Sequence, residues 1–263
     1  MRIAGVGSRP PTAPDVAAAL SGAVAALGQR PAITGLRPDG RREQGFASLA
    51  GWVAKGANLL SGEFGLGPGD RVGLEGPAGW PLAAAALSAW WVGVTVVPAR
   101  SGGTGLAIAH VASAEQAAPG GSAEQAALPA EVLWFGDALD GTDGTHAAPP
   151  SGEWWAEAVT PHPDRPPAAV HDGTLVALTL QDGTDRSQGD LLDAAVDAAG
   201  GAIGLLRAGD VDVLTRSEAA VLLATLALRP LVTGSATVVV EDGASPADRE
   251  RIASAERIVR WSA

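Results

Sequence analysis

The sequence predicts an α/β protein made of two similar, packed α/β subdomains, each a mostly parallel sheet flanked by helices. Three observations carry that expectation. Short apolar runs without polar alternation, such as Val94–Val97 and Ala236–Val240, read as strands buried on both faces, the habit of parallel sheets. These runs alternate with helical patterns, the order that crossover helices impose on parallel strands. Two stretches also share an order of elements: Leu66–Leu74 (LGPGDRVGL) with Leu206–Leu214 (LRAGDVDVL), then Gly93–Val97 with Gly234–Val239. The competing reading of that match is that any helix-to-strand turn favours Gly-Asp.

Taken in order, Pro14–Leu27 is a helix with Asp15 at its start, an alanine-rich interior and Gly28 as its stop. Pro31–Leu36 is a short strand, and Arg37-Pro38-Asp39-Gly40 has turn chemistry. From Phe46 to Phe64 the apolar residues Phe46, Leu49, Val53, Ala57, Leu60 and Phe64 recur at steps of three and four, one face of a helix. Gly65–Asp70 ends it. Val72–Leu74 is a strand. Pro77 and Pro81 bracket the start of a helix over Leu82–Val92, where a missing N–H does no harm. Leu106–Val111 fits a strand or the end of a helix. SAEQAA occurs at Ser113–Ala118 and Ser122–Ala127, a local duplication with too few copies for a stacked repeat.

Glu131–Phe135 is a strand. Asp140–Gly173 is rich in Gly, Pro, Asp and Thr, with a short helical piece at Trp154-Trp155, and reads as a linker. The first subdomain is therefore expected over 1–172, ending in linker 140–172, and the second over 173–263. The second half reads as strand Leu175–Leu180, a helix from about Asp190 to Leu206 containing Gly200-Gly201, and strand Val211–Leu214. Helix Glu218–Leu228, strand Ala236–Val240, helix Pro246–Ala255 and strand Ile258–Trp261 complete it.

The 263 residues are 46% hydrophobic, enough for a sizeable core. A net charge of −11 leaves no basic footprint for nucleic acid and disfavours an anionic membrane surface. Without cysteine there is no disulfide, thiolate metal site or cysteine nucleophile. No stretch reaches the roughly 18 uninterrupted apolar residues of a membrane span, so a soluble, cytoplasmic protein is expected. His110, His146, His162 and His171 show no metal-ligand spacing. G-x-S-x-G and G-x-x-x-x-G-K are absent, and Gly5-Val-Gly7 lacks the third glycine of a dinucleotide fingerprint. The pairs Trp90-Trp91 and Trp154-Trp155 read as packing and linker anchors rather than ligand platforms.

The stretch Gly65–Pro98, GLGPGDRVGLEGPAGWPLAAAALSAWWVGVTVVP, resembles the N-terminal region of adenylate-forming enzymes, the acyl-CoA synthetase and AMP-binding superfamily. Leu49–Leu60, LAGWVAKGANLL, is similar to a small actinobacterial family of short AMP-binding-enzyme-like proteins of unknown function. The likeness covers Phe46–Pro98, continues in the order of elements over Gly173–Asp242, and lapses over Ala99–Pro129. It implies the fold of those enzymes' N-terminal domain, with a phosphate loop where strand Leu175–Leu180 ends. In the enzymes that loop has the form TSGTTGxPKG, whose N–H groups, hydroxyls and lysine hold the ATP phosphates.

Here only Thr179, Gly183, Thr184 and Gly189 match, with Arg186 as a partial substitute for the missing charge. Gln188 takes the lysine's place in one alignment; in another, most of the loop is deleted. Asp182 and Asp185 would repel phosphate in either. The superfamily's later motifs have no counterpart before Ala263, and Lys55, the one lysine, belongs to the helix opening at Phe46. The resemblance with these departures implies no catalytic residue, no metal and no obligate cofactor. Residual ATP or AMP binding would fall on Thr179, Gly183, Thr184, Arg186 and Gly189. Three readings stay open: a degenerate, non-adenylating module that binds a partner protein or small ligand; a protein that still binds nucleotide or acyl ligand near 179–189, completing a ligase site with another chain; and an unrelated doubly wound enzyme. Homo-oligomerisation is also left open.

Overall fold

In the computed structural model, the residues described are 13–37, 40–110, 127–136, 151–196, 201–207, 213–216, 218–241 and 244–262. Their strands are β1 (Pro31–Arg37), β2 (Gly40–Gly45), β3 (Arg71–Leu74), β4 (Thr95–Pro98), β5 (Leu106–His110) and β6 (Glu131–Phe135). These are followed by β7 (Glu153–Trp154), β8 (Val176–Thr179), β9 (Asp185–Ser187), β10 (Ala202–Arg207), β11 (Thr237–Glu241) and β12 (Ile258–Ser262). The helices are α1 (Val16–Leu27), α2 (Phe46–Asn58, continued by a π-turn over Leu59–Glu63), α3 (Trp80–Trp91), α4 (Trp155–Val159) and α5 (Gln188–Ala195). The chain closes through α6 (Ala219–Leu223), a π-turn over Ala224–Leu228, α7 (Arg229–Thr233) and α8 (Pro246–Glu256).

Two sheets form. One has the order β12-β10-β11-β1-β2 and the other β7-β6-β5-β3-β4-β8-β9. Every pairing is parallel except the hairpins β1–β2 and β8–β9 at the edges. The sheets interleave along the chain. β1 and β2, near the N-terminus, pair into the sheet of β10–β12, whereas β8 and β9, beyond residue 172, extend the sheet of β3–β7. Position 172/173 thus divides the sequence without dividing the sheets.

One apolar core serves both sheets, including Ile33, Leu205 and Val239 from the first and Val72, Leu74, Val96 and Ile108 from the second. Helix α3 packs against both β1 and β3. That position explains why it is apolar nearly all round: of its twelve residues only Pro81 is not buried. Where α2 crosses α3, Gly56 lets the backbones close in; a Cβ there would meet Ser88 Oγ and lie 2.9 Å from Ser88 Cβ. Gly204 plays the same part in β10, opposite Trp261 of β12, whose indole ring occupies the space a Cβ would need.

The structure corrects several sequence expectations. The helix expected over Asp190–Leu206 is α5 followed by strand β10; residues 197–200 lie outside the described residues, and Gly201 (φ 112°) leads into the strand. Val213–Thr215 is a 3-10 turn, so no strand occupies Val213-Leu214. The pairing of Leu66–Leu74 with Leu206–Leu214 consequently fails: Leu66 precedes its strand, while Leu206 lies inside one. The second pairing holds, since Gly93 (φ 79°) and Gly234 (φ 68°) each end a helix and lead into a parallel strand. Strand β2 (GRREQG) has no apolar pattern because it is a charged edge. Leu106–His110 is a strand. Part of the expected linker is ordered core: Trp155 is fully buried and packs with Trp52, Trp80 and Phe135. The SAEQAA duplication up to residue 126, and residues 140–150 of the linker, lie outside the described residues. No helix among the described residues is long and apolar enough to cross a membrane.

Candidate functional site

Strand β8 lies at the edge of its parallel sheet and must either stop or turn back. It turns back: Gly183 adopts φ 82°, a conformation open to glycine, and the chain returns as antiparallel β9. Leu180 N donates to Thr184 O at 2.8 Å and Gly183 N to Leu180 O at 2.9 Å. Thr184 N donates to Asp182 Oδ1 at 2.9 Å, and Thr179 Oγ1 donates to Asp185 Oδ1 at 2.7 Å. The hydrogen bonds from Thr184 hold the Asp182 carboxyl below its ordinary range. Three of the residues carried by the resemblance, Thr179, Gly183 and Thr184, therefore sit in one turn. Their donors already serve the turn's own carbonyls and carboxylates.

Helix α5 begins next, and its N-terminus is the other place where a phosphate would find N–H groups. Ser187 and Asp190 form a reciprocal capping box, Ser187 N to Asp190 Oδ2 at 2.9 Å and Asp190 N to Ser187 Oγ at 3.1 Å. These bonds depress the Asp190 pKa. Gln188 N donates to Leu175 O and Gly189 N to Gly173 O, both at 2.9 Å. All of the first three N–H groups of α5 are engaged. Gly189 thus packs against the backbone at Gly173, away from the turn. Arg186 stands on β9 with its side chain exposed, opposite Leu178 in the register.

Gln188 is the residue whose role sequence reasoning missed. It is 1% exposed. Its side-chain oxygen accepts from Val16 N at 3.0 Å, and its nitrogen donates to Trp90 O at 3.0 Å. Far from replacing a phosphate-binding lysine, it joins the start of α1 and the end of α3 to α5. Beside the turn is a cavity of about 280 Å³ lined by Arg71, Thr95, Val176, Thr179 and Asp185 among others, at the lower limit for ligand pockets. Arg71 Nη2 donates to Thr179 Oγ1 at 3.3 Å, the same hydroxyl that donates to Asp185.

A second polar group lies at the carboxyl ends of the central strands. Glu75 follows β3, Arg100 follows β4, and His110 ends β5. Arg100 Nε pairs with Glu75 Oε2 at 3.1 Å, with both side chains largely shielded. The signal was readable: a charged residue directly after a buried strand (RVGLE) or just beyond one (TVVPAR) sits at the edge where α/β sheets bind ligands. Among the described residues, no group of three or more His, Asp or Glu is placed to hold a metal.

A larger cavity lies elsewhere, in an open groove of about 830 Å³ between α1 and α2. Leu20, Val24, Ala47, Gly51, Trp52 and Trp91 line much of it, and Lys55 and Asp164 meet there at 3.1 Å.

No family model matches the chain. Over 57 residues it is 40% identical to a TIGR03089 family protein of Mycobacterium tuberculosis (strain ATCC 25618 / H37Rv), covering 22% of this chain and 24% of that protein. Its structure is similar to an acyl-CoA synthetase of Brucella canis, with a TM-score of 0.66 and 17% identity over 94% of this chain and 50% of that one. It is also similar to the N-terminal domain of FACL13 from Mycobacterium tuberculosis, with a TM-score of 0.66 and 15% identity over 95% and 62%. The chain therefore has the two-sheet, mostly parallel α/β fold of the N-terminal domain of acyl-CoA synthetases, as the resemblance implied. It spans less than two thirds of the length of each of these proteins.

Proposed function

We propose that this protein is a non-adenylating member of the adenylate-forming fold that acts as a binding or regulatory module. One observation carries the reading. The turn at the phosphate-loop position directs the N–H groups of Leu180, Gly183 and Thr184 and the Thr179 hydroxyl to its own carbonyls and to Asp182 and Asp185. A nucleotide would have to break these bonds and approach two carboxylates. Adenylation needs charge stabilisation of many kcal/mol, commonly supplied by magnesium and cationic groups, and Arg186 is a single exposed base. A cytoplasmic setting belongs to this reading. Pyrophosphate exchange into ATP, measured over a panel of carboxylic acids, tests it: background rates are expected, and robust turnover with any acid would sink it.

A second reading keeps nucleotide or acyl binding near residues 179–189. Arg186 and the small cavity beside Thr179 favour it. It expects a rise in melting temperature with millimolar ATP, AMP or acyl-CoA, because a ligand that binds only the folded state stabilises by mass action. Unchanged melting with all three would remove it.

A further inference from the structure

The groove between α1 and α2 combines an apolar trough with one charge arranged in a particular way. Along α2 its lining runs from Ala47 to Lys55, about 12 Å at 1.5 Å per residue. Its volume of about 830 Å³ falls within the usual range for small-molecule sites. The ammonium of Lys55 is fully employed: it donates to His162 O at 2.8 Å and Thr160 O at 3.3 Å, and it pairs with Asp164 Oδ1 at 3.1 Å. An ammonium has three N–H donors, so none is left for a ligand. Asp164 is the opposite case. Its side chain is 76% exposed, and of its two oxygens only Oδ1 meets Lys55. The carbonyls of Thr160 and His162 add negative potential beside it. Lys55 and Asp164 cancel in formal charge, and the hydrogen-bonding atom left open to a visitor is a carboxylate oxygen of Asp164.

We propose that this groove binds an apolar amine: a hydrocarbon or aromatic body seated along α2 between Trp52 and Trp91, with an ammonium or guanidinium paired to Asp164. Trp52 and Trp91 give the lining aromatic surface for the apolar body. The inference goes beyond the proposed function and stands whether or not the turn at 179–184 can hold a nucleotide.

Titration of the full chain with n-octylammonium, n-octanol and n-octanoate below their aggregation limits, followed by tryptophan fluorescence and calorimetry, tests it. The three probes share a body and differ in charge. At low salt octylammonium should bind about fivefold more tightly than octanol, the upper end for an exposed ion pair, and octanoate more weakly than either. The preference should shrink in 1 M salt. Asp164→Asn leaves Lys55 uncompensated, so the order should reverse in favour of octanoate while octanol is unchanged. Gly51→Leu should fill the trough and abolish binding of all three, with circular dichroism confirming the fold. Tighter binding of octanoate to the unaltered protein, no saturable binding of octylammonium, or an unaltered order in Asp164→Asn would each overturn the proposal. Pyrophosphate exchange measured on the same samples reports separately on adenylation.

Discussion

Replacing Gln188 by lysine restores the residue type that one alignment of the phosphate loop calls for, and it is expected to damage the protein without helping it bind ATP. Gln188 is both acceptor and donor in a site where it is 1% exposed. Without its side-chain oxygen, Val16 N has lost its partner at the first turn of α1. An orphaned buried N–H costs about 1–3 kcal/mol. Trp90 O fares better, because it still accepts from Gly93 N at 3.2 Å and from Val92 N; losing one of its bonds costs about 0.5–1.5 kcal/mol. Gln188→Ala should therefore cost roughly 2–4 kcal/mol, a large share of a typical stability of about 5–15 kcal/mol. Gln188→Lys supplies donors but no acceptor and buries a charge, so its loss should be at least as large. Gln188→Glu keeps the acceptor facing Val16 and the positive end of α1, so it should lose less than lysine. Urea unfolding followed by tryptophan fluorescence measures this as a lower midpoint at constant slope. A Gln188→Lys protein within about 0.5 kcal/mol of the original, the range of ordinary surface substitutions, would refute the buried-bridge reasoning, as would a gain in ATP affinity.

Two further predictions concern packing and pH. Gly56→Ala would gain about 1 kcal/mol as an ordinary helix substitution, but the contact with Ser88 should turn it into a net loss of about 1–3 kcal/mol, relieved in part by Ser88→Ala and read as a double-mutant cycle in urea. The Asp190 carboxyl is held below its ordinary value of 3.8 by Ser187, so its cap stabilises α5 at neutral pH and is lost as pH falls below about 4 through the folded-state value; Asp190→Asn should flatten that part of the acid-unfolding curve, and an unchanged curve would count against the cap.

Most elements were legible because their signals are local. The steps of three and four from Phe46 to Phe64 made α2, and the unbroken apolar runs made β4 and β11. The failures share one cause. AIGLL at 202–206 carries no period that separates helix from strand, and only pairing with β11 and β12 makes it a strand. GRREQG became a strand because β1 offers it an edge, and nothing in its own side chains asks for one. At the candidate site, sequence identified Thr179, Gly183 and Thr184 as neighbours and Asp182 and Asp185 as wrong for phosphate. It did not show that those carboxylates already hold the turn's donors, nor that Gly189 faces Gly173.

By itself the sequence determined the alternation of helices and buried parallel strands, the likeness to an adenylate-forming N-terminal domain, and the mismatch of residues 179–189 with that superfamily's phosphate loop. Each of these resides in residues close together along the chain. The tertiary structure alone decided which sheet each strand joins, that α3 is shared between two sheets, that α1 and α2 leave a groove where Lys55 meets Asp164, and that Gln188 is a bridge. The bridge joins groups 172 and 98 positions apart. A buried hydrogen bond over such separations is set by where the folded elements come to rest, and no local pattern of side chains encodes it.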